Sequence, residues 1–196
     1  IAFLQQLEAG YNDVPFHSRV HAADVLHGTA YFLLRSCFTS RISALDTYAM
    51  LIAAAMHDFR HPGVTNVFLI STSEERAVLY NDVSVLENFH SAEAFRLMLR
   101  PGHNPLASLD AVQWSEVRHN IVEGVLGTDL KLHFDHLTKF KTRCAHGAYE
   151  AEVRPEKKDL SLLLAVALHG ADVSNLCKRW ELQIEWVYRL FVEGFA

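Results

Sequence analysis

Residues 55–63 read Ala-Met-His-Asp-Phe-Arg-His-Pro-Gly, and His57, Asp58 and His61 carry the side chains a divalent cation accepts. A neutral imidazole suits zinc, and a carboxylate holds zinc or reaches on to a harder magnesium or manganese ion. The apolar run before them predicts a helix that ends by presenting a histidine, its neighbouring aspartate and a second histidine one turn on, so that His57 and His61 share a face. A second explanation needs no metal: a histidine at a helix C-terminus bonds the last carbonyls and is favoured by the helix dipole.

Two distant segments offer matching chemistry. Phe16-His17-Ser18-Arg19-Val20-His21 repeats the one-turn histidine spacing, and Leu168-His169-Gly170-Ala171-Asp172 puts an aspartate where another apolar run stops. His21, the pair His57-Asp58 and Asp172 together make a four-ligand set that resembles the arrangement of HD-type metallohydrolases, in which Asp58 bridges two ions and open positions admit water. Each member has a plainer alternative. His21 also fits a helix-surface histidine, and Asp172 a C-terminal cap or a solvated loop residue.

The elements that must position these groups are helical. Apolar residues recur at helical spacing over about 21–35, 46–57, 84–99, 111–125, 130–145, 160–169 and 180–195, and no stretch alternates as a strand does. The breaks include His61-Pro62-Gly63, Arg100-Pro101-Gly102, Asn104-Pro105 and a polar patch over 150–159. With 196 residues, half of them apolar, one compact all-α domain is expected, with no linker or repeat to divide it. No segment reaches the roughly 20 uninterrupted apolar residues of a membrane helix. The richest, Ala49–Met56 and Leu162–Leu168, are far shorter, so a soluble protein is expected.

Composition narrows the partners. A net charge of −5 leaves no basic stripe for nucleic acid, so an anionic substrate would have to be attracted by bound cations. Cys37, Cys144 and Cys177 are odd in number and widely spaced, which argues against a disulfide framework and for a reducing, cytoplasmic setting. The 12 histidines, several beside aspartates, are the outlying feature and point again to metal. The chain opens on Ile1 without a signal-peptide pattern and is expected to be part of a longer polypeptide, truncated at both ends relative to a whole domain.

Four strings carry a specific resemblance: His21-Ala22-Ala23-Asp24-Val25; His57-Asp58-x-x-His61-Pro62-Gly63 with Asn66 and Phe68-Leu69 after it; Tyr80-Asn81-Asp82-x-Ser84-Val85-Leu86-Glu87-Asn88; and Ala171-Asp172-x-Ser174-Asn175. In this order and spacing the chain is similar to class I cyclic-nucleotide phosphodiesterases, from about Phe3 to its end. The resemblance implies the helical catalytic domain of that family and hydrolysis of cAMP, cGMP or both to the 5′-monophosphate. It implies a tight zinc on His21, His57, Asp58 and Asp172, with Asp58 bridging to magnesium or manganese. His61, Glu87 and Thr128 match residues that hold the water shell of the second ion. His17 matches the general acid that protonates O3′ as a metal-bridging hydroxide attacks phosphorus, and Asn175 matches a residue that reads the purine.

Local chemistry competes for several of these positions. Ser84-x-x-Glu87 is also a capping-box pattern. Thr128 also fits an N-cap, Asn175 a turn residue, and His17 a cap for the helix that carries His21. Two departures stand out: Phe16, expected with Asn175 to bind substrate, replaces the family's usual tyrosine beside the acid and so lacks its hydroxyl, and Leu176 replaces a common proline. The family's purine-clamp glutamine and aromatic fall beyond the helix at 180–195, so the choice of nucleotide is not legible, and neither is oligomeric state. Rival readings are an HD-type nucleotidase with the same metals, a non-catalytic phosphodiesterase-like regulatory module, and a zinc protease. The last lacks the glutamate of His-Glu-x-x-His and meets Pro62 where that helix would continue.

Overall fold

In the computed structural model, residues 1–35, 39–150 and 155–195 are described. Cys37 and residues 151–154 of the polar break at 150–159 lie outside them, as does Ala196. The elements among the described residues are α1 (Ala2–Ala9), α2 (Arg19–Arg35), α3 (Ala44–Met56), α4 (Asn66–Ser71), α5 (Glu75–Leu79), α6 (Val85–Met98), α7 (Ala111–Leu126), α8 (His133–Ala145), α9 (Lys157–Asp172) and α10 (Trp180–Gly194). Short 3-10 turns occupy Thr39–Arg41, Leu130–Leu132 and Val173–Cys177. The architecture is all-α, as the periodicity predicts.

Helix α3 is the axis. Ser43 and Asp46 cap it reciprocally: the Asp46 amide donates to Ser43 Oγ at 3.0 Å and the Ser43 amide to Asp46 Oδ2 at 2.9 Å. Its alanine-rich body, with Ala49, Met50, Ala53, Ala54 and Met56 fully buried, packs on α2 and α7. Helix α9 packs on the same two helices, which closes a four-helix core. At Gly124 of α7 a Cβ would stand 2.7 Å from Met50 Cε, so the absent side chain sets how closely α3 and α7 approach. A residue such as Leu168, fully buried in this core, is worth about 2–5 kcal/mol against alanine.

Helix α9 with its following turn, Lys157–Cys177, has a mean hydropathy of 1.5 over a span long enough to cross a membrane. Its apolar character belongs to the core: Leu160, Leu163, Leu164, Ala165, Leu168 and Ala171 are buried against neighbouring helices. The expected helix over 160–169 therefore runs further, from Lys157 to the site residue Asp172.

Three helices went unforeseen: α1, α4 and α5. The last two are a single turn or so each, too short for periodicity to register, and rest on caps from Thr65 to the Phe68 amide and from Glu74 to the Arg76 amide. They cover a small separate cluster of Leu69, Ala77, Val85 and Leu86. Positive-φ Ser73 turns the chain between α4 and α5, and Asn81, Asp82 and Ser84 turn it from α5 into α6.

Candidate metal centre

Packing of α2, α3 and α9 brings three distant segments to one point. His21 lies in the first turn of α2, His57 and Asp58 follow α3 directly, and Asp172 ends α9. His21 Nε2 stands 2.9 Å from Asp172 Oδ1 and 3.5 Å from Asp58 Oδ2; His57 Nε2 stands 3.2 Å from Asp58 Oδ2 and 3.4 Å from Asp172 Oδ1. Donors sharing one ion at bonds of roughly 2.0–2.1 Å are spaced about 2.9 Å at right angles and about 3.3 Å in a tetrahedron. The observed spacings bracket those values.

The ring of His57 shows how this is arranged. Its Nδ1–H donates to the Ala54 carbonyl at 2.9 Å, while Nε2 is fully buried without a hydrogen-bond partner and faces the two carboxylates. The helix-end carbonyl contact is therefore present, and it frees the other nitrogen to act as a ligand. His21 is 1% exposed, which removes the surface reading. Two carboxylates and two neutral imidazoles carry two negative charges, the charge one divalent cation cancels, so the donor set fits such an ion.

Electrostatics agree. Burial alone would raise the carboxyls, but the neighbouring His57 outweighs it at Asp58, and the bond from His21 with the close approach of His57 outweighs it at Asp172; both acids are held well below the usual range. Burial would lower His57, yet Asp58 and Asp172 raise it well above an ordinary imidazole. The pocket is organised around positive charge.

His61 does not share a helix face with His57. Helix α3 stops at Met56, and Arg60 adopts φ +63°, which turns the chain before His61. Asn12 holds that turn by donating to the carbonyls of Arg60 at 3.2 Å and His61 at 2.9 Å. His61 instead stacks on His17, with ring centroids 3.9 Å apart, and on His90 at 5.4 Å. Its Nδ1 accepts the Gly63 amide at 3.0 Å; burial and the neighbouring His17 push the ring down to about 3, so it is neutral. His90 donates from Nδ1 to the Phe59 carbonyl at 2.7 Å, and burial pushes it down to about 4. Its Nε2 lies 3.9 Å from Asp58 Oδ1, the oxygen not turned toward His21 and His57.

His17 precedes α2, and its ring does not serve as a cap. Nδ1 is bonded to Glu193 Oε1, and the amides of Phe16 and His17 donate to Glu193 Oε2 at 2.7 and 3.0 Å. Burial opposes the imidazolium, but Glu193 and the more distant acids outweigh it and raise His17 above its ordinary value. Burial likewise opposes the Glu193 carboxylate, and His17 outweighs it, holding that acid down to about 2. Glu193 was not singled out in the sequence. Its signal is faint: one acid inside the apolar run Leu190-Phe191-Val192-Glu193-Gly194-Phe195, 7% exposed on an otherwise exposed helix.

The remaining positions are as follows. Glu87 forms no capping box, because Ser84, at φ +42°, turns its hydroxyl to Asp129 Oδ2 at 2.8 Å. The Glu87 carboxylate accepts from Asn66 Nδ2 at 3.0 and 3.2 Å, and burial raises it to about 7, with contributions from Asp129 and Asp58. Thr128 is buried and donates to the Val125 carbonyl at 2.8 Å, while Asp129 rather than Thr128 caps the next turn. Asn175 sits half-buried in the 3-10 turn after Asp172. Phe16 is 6% exposed and packs its ring against His17, His21 and Trp186, as a support beneath the histidines.

Comparison with known proteins bears on the whole chain. Residues 16–196 match the family model described as 3′5′-cyclic nucleotide phosphodiesterase. The chain is 38% identical over 197 residues to a dual specificity calcium/calmodulin-dependent 3′,5′-cyclic nucleotide phosphodiesterase 1B of Mus musculus, covering 100% of this chain and 35% of that protein. It is 34% identical over 232 residues to the cGMP-inhibited 3′,5′-cyclic phosphodiesterase 3A of Homo sapiens, covering 94% of this chain and 20% of that protein. The chain thus spans about a third or less of the length of these curated relatives. The crystal structure of the phosphodiesterase domain of Salpingoeca rosetta rhodopsin phosphodiesterase superposes with a TM-score of 0.92 at 39% identity, covering 97% of this chain and 57% of that one.

Proposed function

Because the chain belongs to the 3′,5′-cyclic nucleotide phosphodiesterase family, we propose that it carries the metal-binding and proton-donating groups of an enzyme that hydrolyses cAMP, cGMP or both to the 5′-monophosphate. The observation that carries this reading is the quartet His21, His57, Asp58 and Asp172, whose donor atoms all lie within 4.8 Å of one another. The quartet would hold zinc, and magnesium or manganese would share Asp58, with its waters held by His61, Glu87 and Thr128. Bound there, the cations would supply charge neutralisation at the phosphate and a water whose pKa is lowered to about 7.

The chain's own groups do the rest. Opening the ring adds the oxygen of water to phosphorus and breaks the P–O3′ bond, and the departing O3′ needs a proton. His17 is suited to give it, because its Nδ1 is bonded to Glu193 and its raised proton affinity favours the charged ring. The second ring nitrogen is then the one turned to substrate. His61, neutral and stacked on His17, holds the ring plane without competing for the proton. Asn175, just beyond Asp172, contacts the purine.

The test is hydrolysis by the purified protein of cAMP, cGMP and the two 5′-monophosphates, with products identified by phosphorus NMR. Conversion of a cyclic nucleotide to its 5′-monophosphate supports the reading. Release of inorganic phosphate from the 5′-monophosphates with cyclic nucleotides untouched would replace it with a nucleotidase.

A further inference from the structure

Along α2, His21, Asp24 and Gly28 are spaced by three and four residues and so share one face. All three meet the corner where α9 passes into the turn Val173–Cys177. His21 reaches Asp172 as described. At Gly28 a Cβ would stand 3.2 Å from Ala171 Cβ and 3.7 Å from Ser174 Oγ, so the missing side chain allows the corner to lie close against α2. Between these two contacts, Lys178 Nζ donates to Asp24 Oδ1 at 2.7 Å, with the two side chains only 22% and 21% exposed.

Asp24 is one turn from a member of the quartet, yet its carboxylate is committed to Lys178 and takes no part in the metal set. The pair clasps the far end of the corner: the Lys178 amide donates to the Asn175 carbonyl at 3.4 Å, so a position imposed on Lys178 is passed directly to Asn175. The corner is thus held at both ends, by Asp172 against His21 and by Lys178 against Asp24, with Asn175 between.

We propose that Asp24 and Lys178 are positioning residues that keep Asn175 at a fixed separation from the metal quartet, so that the base and the phosphate of one nucleotide are bound together. The assignment rests on the cyclic-nucleotide reading of the site. A contact to the base is distant from the breaking bond and contributes equally to ground and transition states, so its loss raises KM and spares kcat.

The experiment compares Asp24→Asn, Lys178→Met, the double variant and the conservative Lys178→Arg with the parent protein, measuring kcat and KM for cAMP and cGMP together with bound divalent metal. The expected result is KM raised about ten-fold in each single variant, the scale on which supporting contacts act. The double variant should be no worse than either single, Lys178→Arg should stay close to the parent, and kcat and metal content should remain within about two-fold. Unchanged KM in both single variants overturns the assignment. So does loss of metal or kcat, which would make the pair a support for Asp172 instead. A parent protein inactive on both nucleotides defeats the functional reading, and this assignment with it; an active parent with indifferent variants defeats the assignment alone.

Discussion

His57 and His169 are both buried histidines near the ends of apolar helices, and they keep different company. His57 spends one nitrogen on a carbonyl and turns the other toward two carboxylates. His169 meets other imidazoles: its Nε2 is 2.8 Å from His133 Nδ1, and its ring lies parallel to that of His136 with centroids 6.3 Å apart. Burial lowers His169 against an opposing pull from Asp172, and the two neighbouring imidazoles add to the lowering, whereas Asp58 and Asp172 overcome burial and raise His57. Both regions gather imidazoles from separate segments of the chain. What distinguishes them is carboxylate oxygen facing a bare ring nitrogen, and that separates a candidate cation site from a packed histidine pair.

Substitutions can break this contrast. The largest effect is expected for Asp172→Ala, which removes an acceptor shared by His21 and His57: turnover should vanish together with retained metal. An active or metal-replete variant would show that the quartet is not the site. Next, His17→Ala should keep its metal while kcat falls by about 10²–10⁴, the range general acids contribute. Equal loss of metal would make His17 structural.

Glu193→Gln should act more mildly, through pH. His17 is raised above its ordinary value, so in the parent the proton on the acid persists as pH rises and the alkaline limb of kcat/KM lies high. Without the Glu193 charge, burial dominates and that limb should move to lower pH. An unmoved limb would separate the dyad from catalysis.

A stability measurement sharpens the same comparison. His90 is depressed to about 4, so its contribution to folding is complete above its unfolded value near 6.5 and is lost as pH falls toward 4. Melting temperatures of metal-free protein should therefore show His90→Gln gaining on the parent between about pH 6.5 and 4. A constant difference across that window would mean His90 does not titrate there. The smallest effect is expected for His133→Gln. It disrupts only the imidazole pair, so metal content and turnover should stay unchanged, and altered metal content would erase the distinction drawn above.

Much of this was legible in the sequence because the candidate ligands coincide with helix ends. His21, His57-Asp58 and Asp172 stand at the termini of strongly periodic segments, so the fold class could be read from the pattern, while the four-ligand set was joined by the resemblance to known metallohydrolase motifs. The relation of His57 to His61 could not, since a single left-handed residue, Arg60, redirects the chain, and arginine carries no signal for positive φ. The capping pattern at Ser84 and Glu87 misled for a similar reason: Ser84 is itself left-handed and bonded to Asp129, 45 residues on. Glu193 stayed hidden because its partner His17 is 176 residues away, and only the packing of α10 through Trp186 and Phe16 joins them.

The central claim is tested most directly by X-ray absorption at the edge of the tightly bound metal in the purified protein. The account predicts two imidazole nitrogens with the remaining ligands oxygen, a spectrum that Asp172→Ala removes and His133→Gln leaves intact. A shell of three or more imidazoles, or a sulfur ligand, would place the metal elsewhere and contradict it.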